Sequence, residues 1–75
     1  MAMQRLGEKL RALRQRRGMT QQQLADELGF SHVYAHYLES GKKRPHAELL
    51  LKLSYLFEVP ADVLIKDELE LPPEA

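Results

Sequence analysis

The side chains able to do chemistry concentrate between Gln21 and Arg44. His32 and His36 stand four apart, a spacing that sets two imidazoles on one helical face and can clamp a metal ion. A metal site needs a third ligand, and none is at hand: Glu39 falls on another side, and the chain has no cysteine. Neither a metal site nor a cofactor is expected. No Ser or Thr sits where a neighbouring His and acid would activate it. There is no glycine-rich phosphate loop and no carboxylate pair placed to share a cleft, so an enzyme is not expected. What remains is a hydrogen-bonding surface. At about 100° per residue, Val33, His36, Tyr37 and Ser40 share one side of a helix over residues 32–40, with His32 and Tyr34 on its flanks. Lys42, Lys43 and Arg44 follow at once as a basic loop.

The elements that must position this surface carry their own start and stop signals. Leu6, Leu10 and Leu13 mark an amphipathic helix over roughly residues 3–17, with a basic last turn and Gly18 as its stop. Thr20 and Gln23 form a capping box, and Met19 and Leu24 sit where a hydrophobic staple closes. The second helix then runs from about Gln21 to Leu28, burying Leu24, Ala25 and Leu28. Gly29 supplies a left-handed turn at low steric cost. Ser31 caps the third helix, whose inward side holds Ala35, Leu38 and Glu39, and Gly41 ends it. A leucine-rich fourth helix spans roughly Ala47 to Phe57. Pro60 opens a fifth that carries Asp62, Val63, Leu64 and Ile65. After Asp67 the chain is acidic and ends Leu-Pro-Pro-Glu-Ala, which should fray or remain extended.

Seventy-five residues make one small domain with a modest core. The net charge of zero hides an asymmetry. Residues 1–44 carry nine Lys/Arg against four acids, or +5; residues 45–75 carry two Lys against seven acids, or −5. A basic half facing a polyanion and an acidic half facing away suits an orientable nucleic-acid binder, although ordinary surface charge can produce the same split. No apolar run approaches the roughly 20 residues needed to span a bilayer. The N-terminus lacks the apolar core and cleavage site of a signal peptide. With no cysteine to demand an oxidising compartment, a cytoplasmic location and no membrane partner are expected.

Leu13-Arg14, the run Gly18 to Gln21, Leu24-Ala25, Leu28-Gly29-Phe30-Ser31, Leu38-Glu39, Gly41-Lys42, Pro45, and Val59 leading to Leu64 together resemble the lambda-repressor-like helix-turn-helix family of phage-repressor and Cro type. The resemblance covers roughly Leu6 to Leu64. It implies an all-α, compact five-helix bundle over residues 1–66, with residues 67–75 as an acidic tail. It also implies double-stranded DNA as partner, the second helix lying across the backbone and the third in the major groove. Base contacts then fall to His32, Val33, His36 and Tyr37, and backbone contacts to Gln21, Tyr34, Ser40, Lys42, Lys43 and Arg44. Tyr34, and less readily Tyr37, also reads as a core aromatic, the basic loop as merely solvated, and Gln21 as a neutral surface residue. Glu39 faces inward and needs a partner, since a lone buried carboxylate is costly; similar proteins pair it with the position of Arg14, and a solvated surface acid is the alternative.

The chain departs from the family pattern in three places. Ala35 replaces a branched aliphatic, which calls on Tyr34 or Phe30 to fill the core. His46 replaces a serine cap. The third helix presents no outward Arg, Gln or Asn, so the usual arginine-to-guanine and glutamine-to-adenine pairings are not available to it.

By the same pattern Leu50, Leu53, Ser54 and Phe57 point inward on the fourth helix. Leu49, Leu51, Tyr55 and Leu56 are left over, and the fifth helix adds Val63, Leu64 and Ile65. A homodimer interface through Leu51, Tyr55, Leu56 and Val63 is expected; packing of the surplus against Leu69 and Leu71 of the tail is the alternative. The leading function is a sequence-specific transcriptional regulator, a repressor binding a pseudo-palindromic operator as a homodimer. One alternative is an antitoxin-like protein whose acidic end covers a toxin partner while it represses its own promoter. Another is a helix-turn-helix scaffold that has lost DNA binding.

Overall fold

The computed structural model describes residues 3–74. They form α1 (Leu6–Arg16), α2 (Gln21–Leu28), α3 (His32–Ser40), α4 (Ala47–Phe57) and α5 (Ala61–Ile65), and no strand appears among them. This is the all-α, five-helix architecture that the sequence leads one to expect. None of these helices is long and apolar enough to cross a membrane.

Local chemistry explains most boundaries. Thr20 accepts from the Gln23 amide, and the Gln23 side chain accepts from the Thr20 amide in return, closing the capping box of α2. Gly29 ends that helix at φ 78°. Ser31 accepts from the Tyr34 amide and starts α3. His46 does for α4 what a serine would do, its Nδ1 accepting from the Leu49 amide at 3.2 Å. Because Nδ1 must then carry a lone pair, this imidazole is held as the Nε2–H tautomer while neutral.

The core joins all five helices through Leu6, Leu10, Leu13, Leu24, Leu38, Leu49, Leu50, Leu53, Phe57, Val59 and Leu64. Helix α3 packs on α1 and α2, while α5 packs on α4 and α1. The crossing of α1 and α3 depends on Gly7: a Cβ there would collide with the Glu39 carbonyl oxygen. Ala35 is fully buried under α3, and half-buried Phe30 and Tyr34 pack against the core with their rings in edge-to-face contact at 5.0 Å.

Four expectations need correction. Helix α1 begins at Leu6 rather than residue 3, because its cap comes from outside: Asp67 accepts from the amides of Gln4 and Arg5. Leu49 is buried, so it does not belong to the surplus on α4, whereas Leu51 and Tyr55 are exposed. Of the two courses open to the tail, residues 67–72 remain irregular and extended rather than fraying: Arg5 grips Glu70 through its two terminal guanidinium nitrogens, and Arg16 donates to the Pro72 carbonyl. Finally, the basic and acidic parts of the chain do not face apart, since α1 and the tail neutralise each other. Leu71 packs against the core from the α1 side, leaving Leu51 and Tyr55 uncovered.

Candidate nucleic-acid interface

Two glycine turns set α3 against α2 so that one side of α3 stays open. Val33, His32, His36 and Ser40 are exposed there, Val33 to 60 %. A large apolar side chain left that open is worth explaining. Gln21, His32, Val33, His36 and Tyr37 line one shallow recess of about 320 Å³. The first residue of α2 and the outward residues of α3 therefore share a single surface. Tyr37 is half-buried, its ring tilted against His36 at 6.1 Å. Tyr34 is also half-buried and turned toward Phe30, at the edge of this surface rather than in its middle.

The basic loop is anchored to the same helix. Gly41 at φ 83° reverses the chain, and the amides of Lys42 and Lys43 both donate to the Tyr37 carbonyl. The Lys42 ammonium lies 5.7 Å from the centre of the Tyr37 ring, a cation–π contact. Ser40 spends its hydroxyl proton on the Tyr37 carbonyl, and its oxygen still accepts. Lys42, Lys43 and Arg44 are exposed, with no ion pair among the described residues. The basic residues on and just before α1 differ: Arg5, Arg14 and Arg16 are held by Glu70, Glu39 and Pro72.

Behind the surface lies a buried ion pair. Arg14 Nε donates to Glu39 at 2.6 Å and Nη2 at 3.1 Å, while Nη1 binds the Met19 carbonyl at 2.7 Å. The Glu39 side chain is fully buried, and Arg11 reaches it from solvent at 3.4 Å. Burial pushes the Glu39 carboxyl up, but hydrogen bonds from Arg14, Gln21 and Arg11 outweigh it and hold the group below its ordinary value.

Gln21 occupies an inner position that its place at a helix start does not disclose. Its Nε2 donates to Glu39 at 3.1 Å, and its Oε1 lies 3.3 Å from His32 Nε2. The sequence carries no local signal for this relay, because its members lie 11 and 18 residues apart. Nor does the sequence mark Gly7 or Arg11 as part of this arrangement. No group of three or more His, Asp or Glu side chains gathers to hold a metal among the described residues.

Residues 5–65 match the model of a helix-turn-helix domain family. The chain is similar to the HTH-type transcriptional activator BcrR of Enterococcus faecalis, 41 % identical over 61 residues that cover 81 % of this chain and 30 % of that protein. It is also similar to the HTH-type transcriptional regulator ImmR of Bacillus subtilis strain 168, 38 % identical over 64 residues covering 84 % of this chain and 50 % of the relative. The chain thus spans between 30 % and 50 % of the length of these relatives. Among solved structures, the P22 c2 repressor in complex with a synthetic operator superimposes with a TM-score of 0.77 at 32 % identity, covering 84 % of this chain and 96 % of that one. The solution structure of the P22 c2 repressor DNA-binding domain gives the same score and identity over 97 % and 96 %.

Proposed function

The chain belongs to the helix-turn-helix domain family, and on that premise we propose that it binds double-stranded DNA as the reading head of a transcriptional regulator. One observation carries this reading. The outward residues of α3 and the start of α2 line a common recess, and the free positive charge of Lys42, Lys43 and Arg44 stands beside it. A protruding helix with unpaired cations at its end matches the demands of a major groove flanked by phosphates.

In this reading His32, Val33, His36 and Tyr37 meet base edges, with Val33 suited to a thymine methyl. Ser40, Lys42, Lys43 and Arg44 grip phosphates, with Tyr34 at the margin. Gln21 reaches the backbone only with what its relay leaves free. The regulator is a repressor that acts in the cytoplasm as a homodimer on a pseudo-palindromic operator. Leu51 and Tyr55, exposed to 47 % and 71 %, support a second copy docking there, with half-buried Leu56 of α4 and Val63 of α5 completing the interface. An antitoxin-like role draws less support, because Asp67, Glu70 and Pro72 are already engaged by α1.

The test is binding to DNA selected from random duplexes, followed over a range of salt. Lys43→Ala should weaken all sequences alike and lower the salt slope by about one. Tyr37→Ala should alter which sequences are preferred. The opposite assignment of effects, or no binding at low salt, would refute the reading.

A further inference from the structure

The relay from Arg14 through Glu39 and Gln21 to His32 has only one consistent arrangement of protons. An ionised carboxylate can only accept hydrogen bonds. Glu39 is ionised, with Arg14 on both its oxygens at 2.6 and 3.1 Å, so the group that Gln21 turns toward it at 3.1 Å must be the amide NH2. The Gln21 carbonyl oxygen then faces His32 Nε2 at 3.3 Å, and an oxygen with no proton requires Nε2 to carry one. A neutral imidazole has one N–H, so Nδ1 is left with its lone pair. No hydrogen bond to that Nδ1 exists among the described residues, and the ring is exposed.

We infer that Gln21 is a positioning residue that fixes His32 as an Nε2–H imidazole, so that this ring offers DNA an acceptor rather than a donor. This rests on the DNA-binding reading above and gives it a chemical preference. An acceptor in the major groove is matched by the exocyclic amino groups of adenine and cytosine. It is mismatched by the N7 and O6 acceptors of guanine and the O4 of thymine. The start of the recognition helix is therefore tuned to A or C at the base it covers, although the chain carries none of the usual base-reading residues there. His36 lies on the same face with no hydrogen bond from the described residues, so nothing comparable selects its tautomer.

Two measurements at pH 8, above the ordinary imidazole range, test this. The first is imidazole 15N NMR of the free protein. His32 should show a single Nε2–H form, while His36 shows a mixture. Gln21→Leu, which keeps the volume and removes both hydrogen bonds, should bring His32 to the mixture seen for His36. His32 protonated at Nδ1, or unchanged in the variant, overturns the proposal. The second is site selection from random duplexes with the wild type, His32→Ala and Gln21→Leu. The base lost from the preference in His32→Ala should be A or C, and Gln21→Leu should relax it by about threefold to tenfold, the size one hydrogen bond sets. Guanine or thymine at that base overturns the proposal while leaving DNA binding intact. Selection that yields no preferred sequence from the wild type overturns the DNA reading as well, whatever the NMR shows.

Discussion

The ammonium of Lys9 sits 2.7 Å from the carbonyl of Leu69, sixty residues away in sequence, and donates as well to the carbonyls of Val63 and Lys66 at 2.8 Å each. All three protons of the ammonium are thus used, and the side chain is among the most buried in the protein. A cation taken out of water is costly unless its donors are matched. Here the matching groups are the open carbonyls at the end of α5 and the turn after it, where a positive charge is favoured. Lys9 holds α5 and the tail against α1. Lys9→Met keeps much of the packing but strands the Val63 and Leu69 carbonyls, while the Lys66 carbonyl keeps only the Leu69 amide. We expect a loss of about 2–4 kcal/mol in urea unfolding, together with faster proteolysis beyond Lys66. An unchanged midpoint would show that water replaces the ammonium without cost.

What was legible in the sequence follows from how far apart the partners lie. Thr20 with Gln23 and Ser31 with Tyr34 are three residues apart, so the starts of α2 and α3 can be read locally. The inward residues Ala35, Leu38 and Glu39 follow from helical periodicity alone. Asp67 on the amides of Gln4 and Arg5, and Lys9 under Leu69, span about sixty residues. No pattern in the sequence announces such contacts, and the tail looked like a free acidic end. The outward residues of α3 were legible as a face. The relay through Gln21 was not, because a glutamine at a helix start has many possible partners and only the fold chooses among them.

Gly7 lies inside α1, where glycine costs about 1 kcal/mol relative to alanine, so Gly7→Ala should stabilise the helix considered alone. In the folded protein the added methyl would meet the Glu39 carbonyl oxygen, which belongs to the backbone of α3 and cannot rotate away. Overpacking of this kind costs about 1–3 kcal/mol and more where backbone must shift. We expect net destabilisation, visible as a lower thermal midpoint. A more stable variant would mean that α1 and α3 can separate freely.

Helix α4 ends on Glu58 in the left-handed region, with φ 54° and ψ 44°. A residue with a Cβ pays about 1 kcal/mol there, and glycine does not. Glu58 offers little in return: its carboxylate lies 3.8 Å from Arg17, and its side chain is 85 % exposed. Such an exposed pair is worth little. Glu58→Gly should therefore raise stability by about 0.5–1 kcal/mol in urea unfolding. A loss would show that the Arg17 contact outweighs the backbone strain.

Exposed Tyr55 and Leu51 on α4 give the proposed dimer its test. Two-fold pairing there would hold two recognition helices about 34 Å apart, one turn of DNA. Tyr55→Lys places a charge on the patch without touching the core. We expect it to reduce self-association in sedimentation at micromolar concentration and to weaken binding to a palindromic site more than to a single half-site. A wild type that stays monomeric both free and on a palindrome would rule out this interface.

The Arg14–Glu39 pair predicts how the protein fails in acid. Glu39 is held below its ordinary value despite burial, which opposes ionisation, because Arg14, Gln21 and Arg11 all donate to it. Asp67 is lowered chiefly by the Arg5 amide and Glu70 chiefly by the Arg5 guanidinium. In each case the unfolded chain binds the proton more readily than the folded one. The stabilisation is therefore complete above the unfolded carboxylate range, near pH 4 to 4.5, and is lost as pH falls through the lower folded values. Urea midpoints should be flat from pH 7 to about 5 and drop steeply below. Glu39 carries most of this loss, since its side chain is fully buried whereas that of Glu70 is largely exposed. Glu39→Gln should be less stable at pH 7 and show a shallower acid limb. Glu39→Ala should cost about 3–5 kcal/mol at neutral pH, since it leaves the Arg14 charge short of its partner. The cost should fall toward the low end, because Arg14 keeps the Met19 carbonyl at 2.7 Å. An acid limb of Glu39→Gln that runs parallel to the wild type would assign the transition to the tail carboxylates instead.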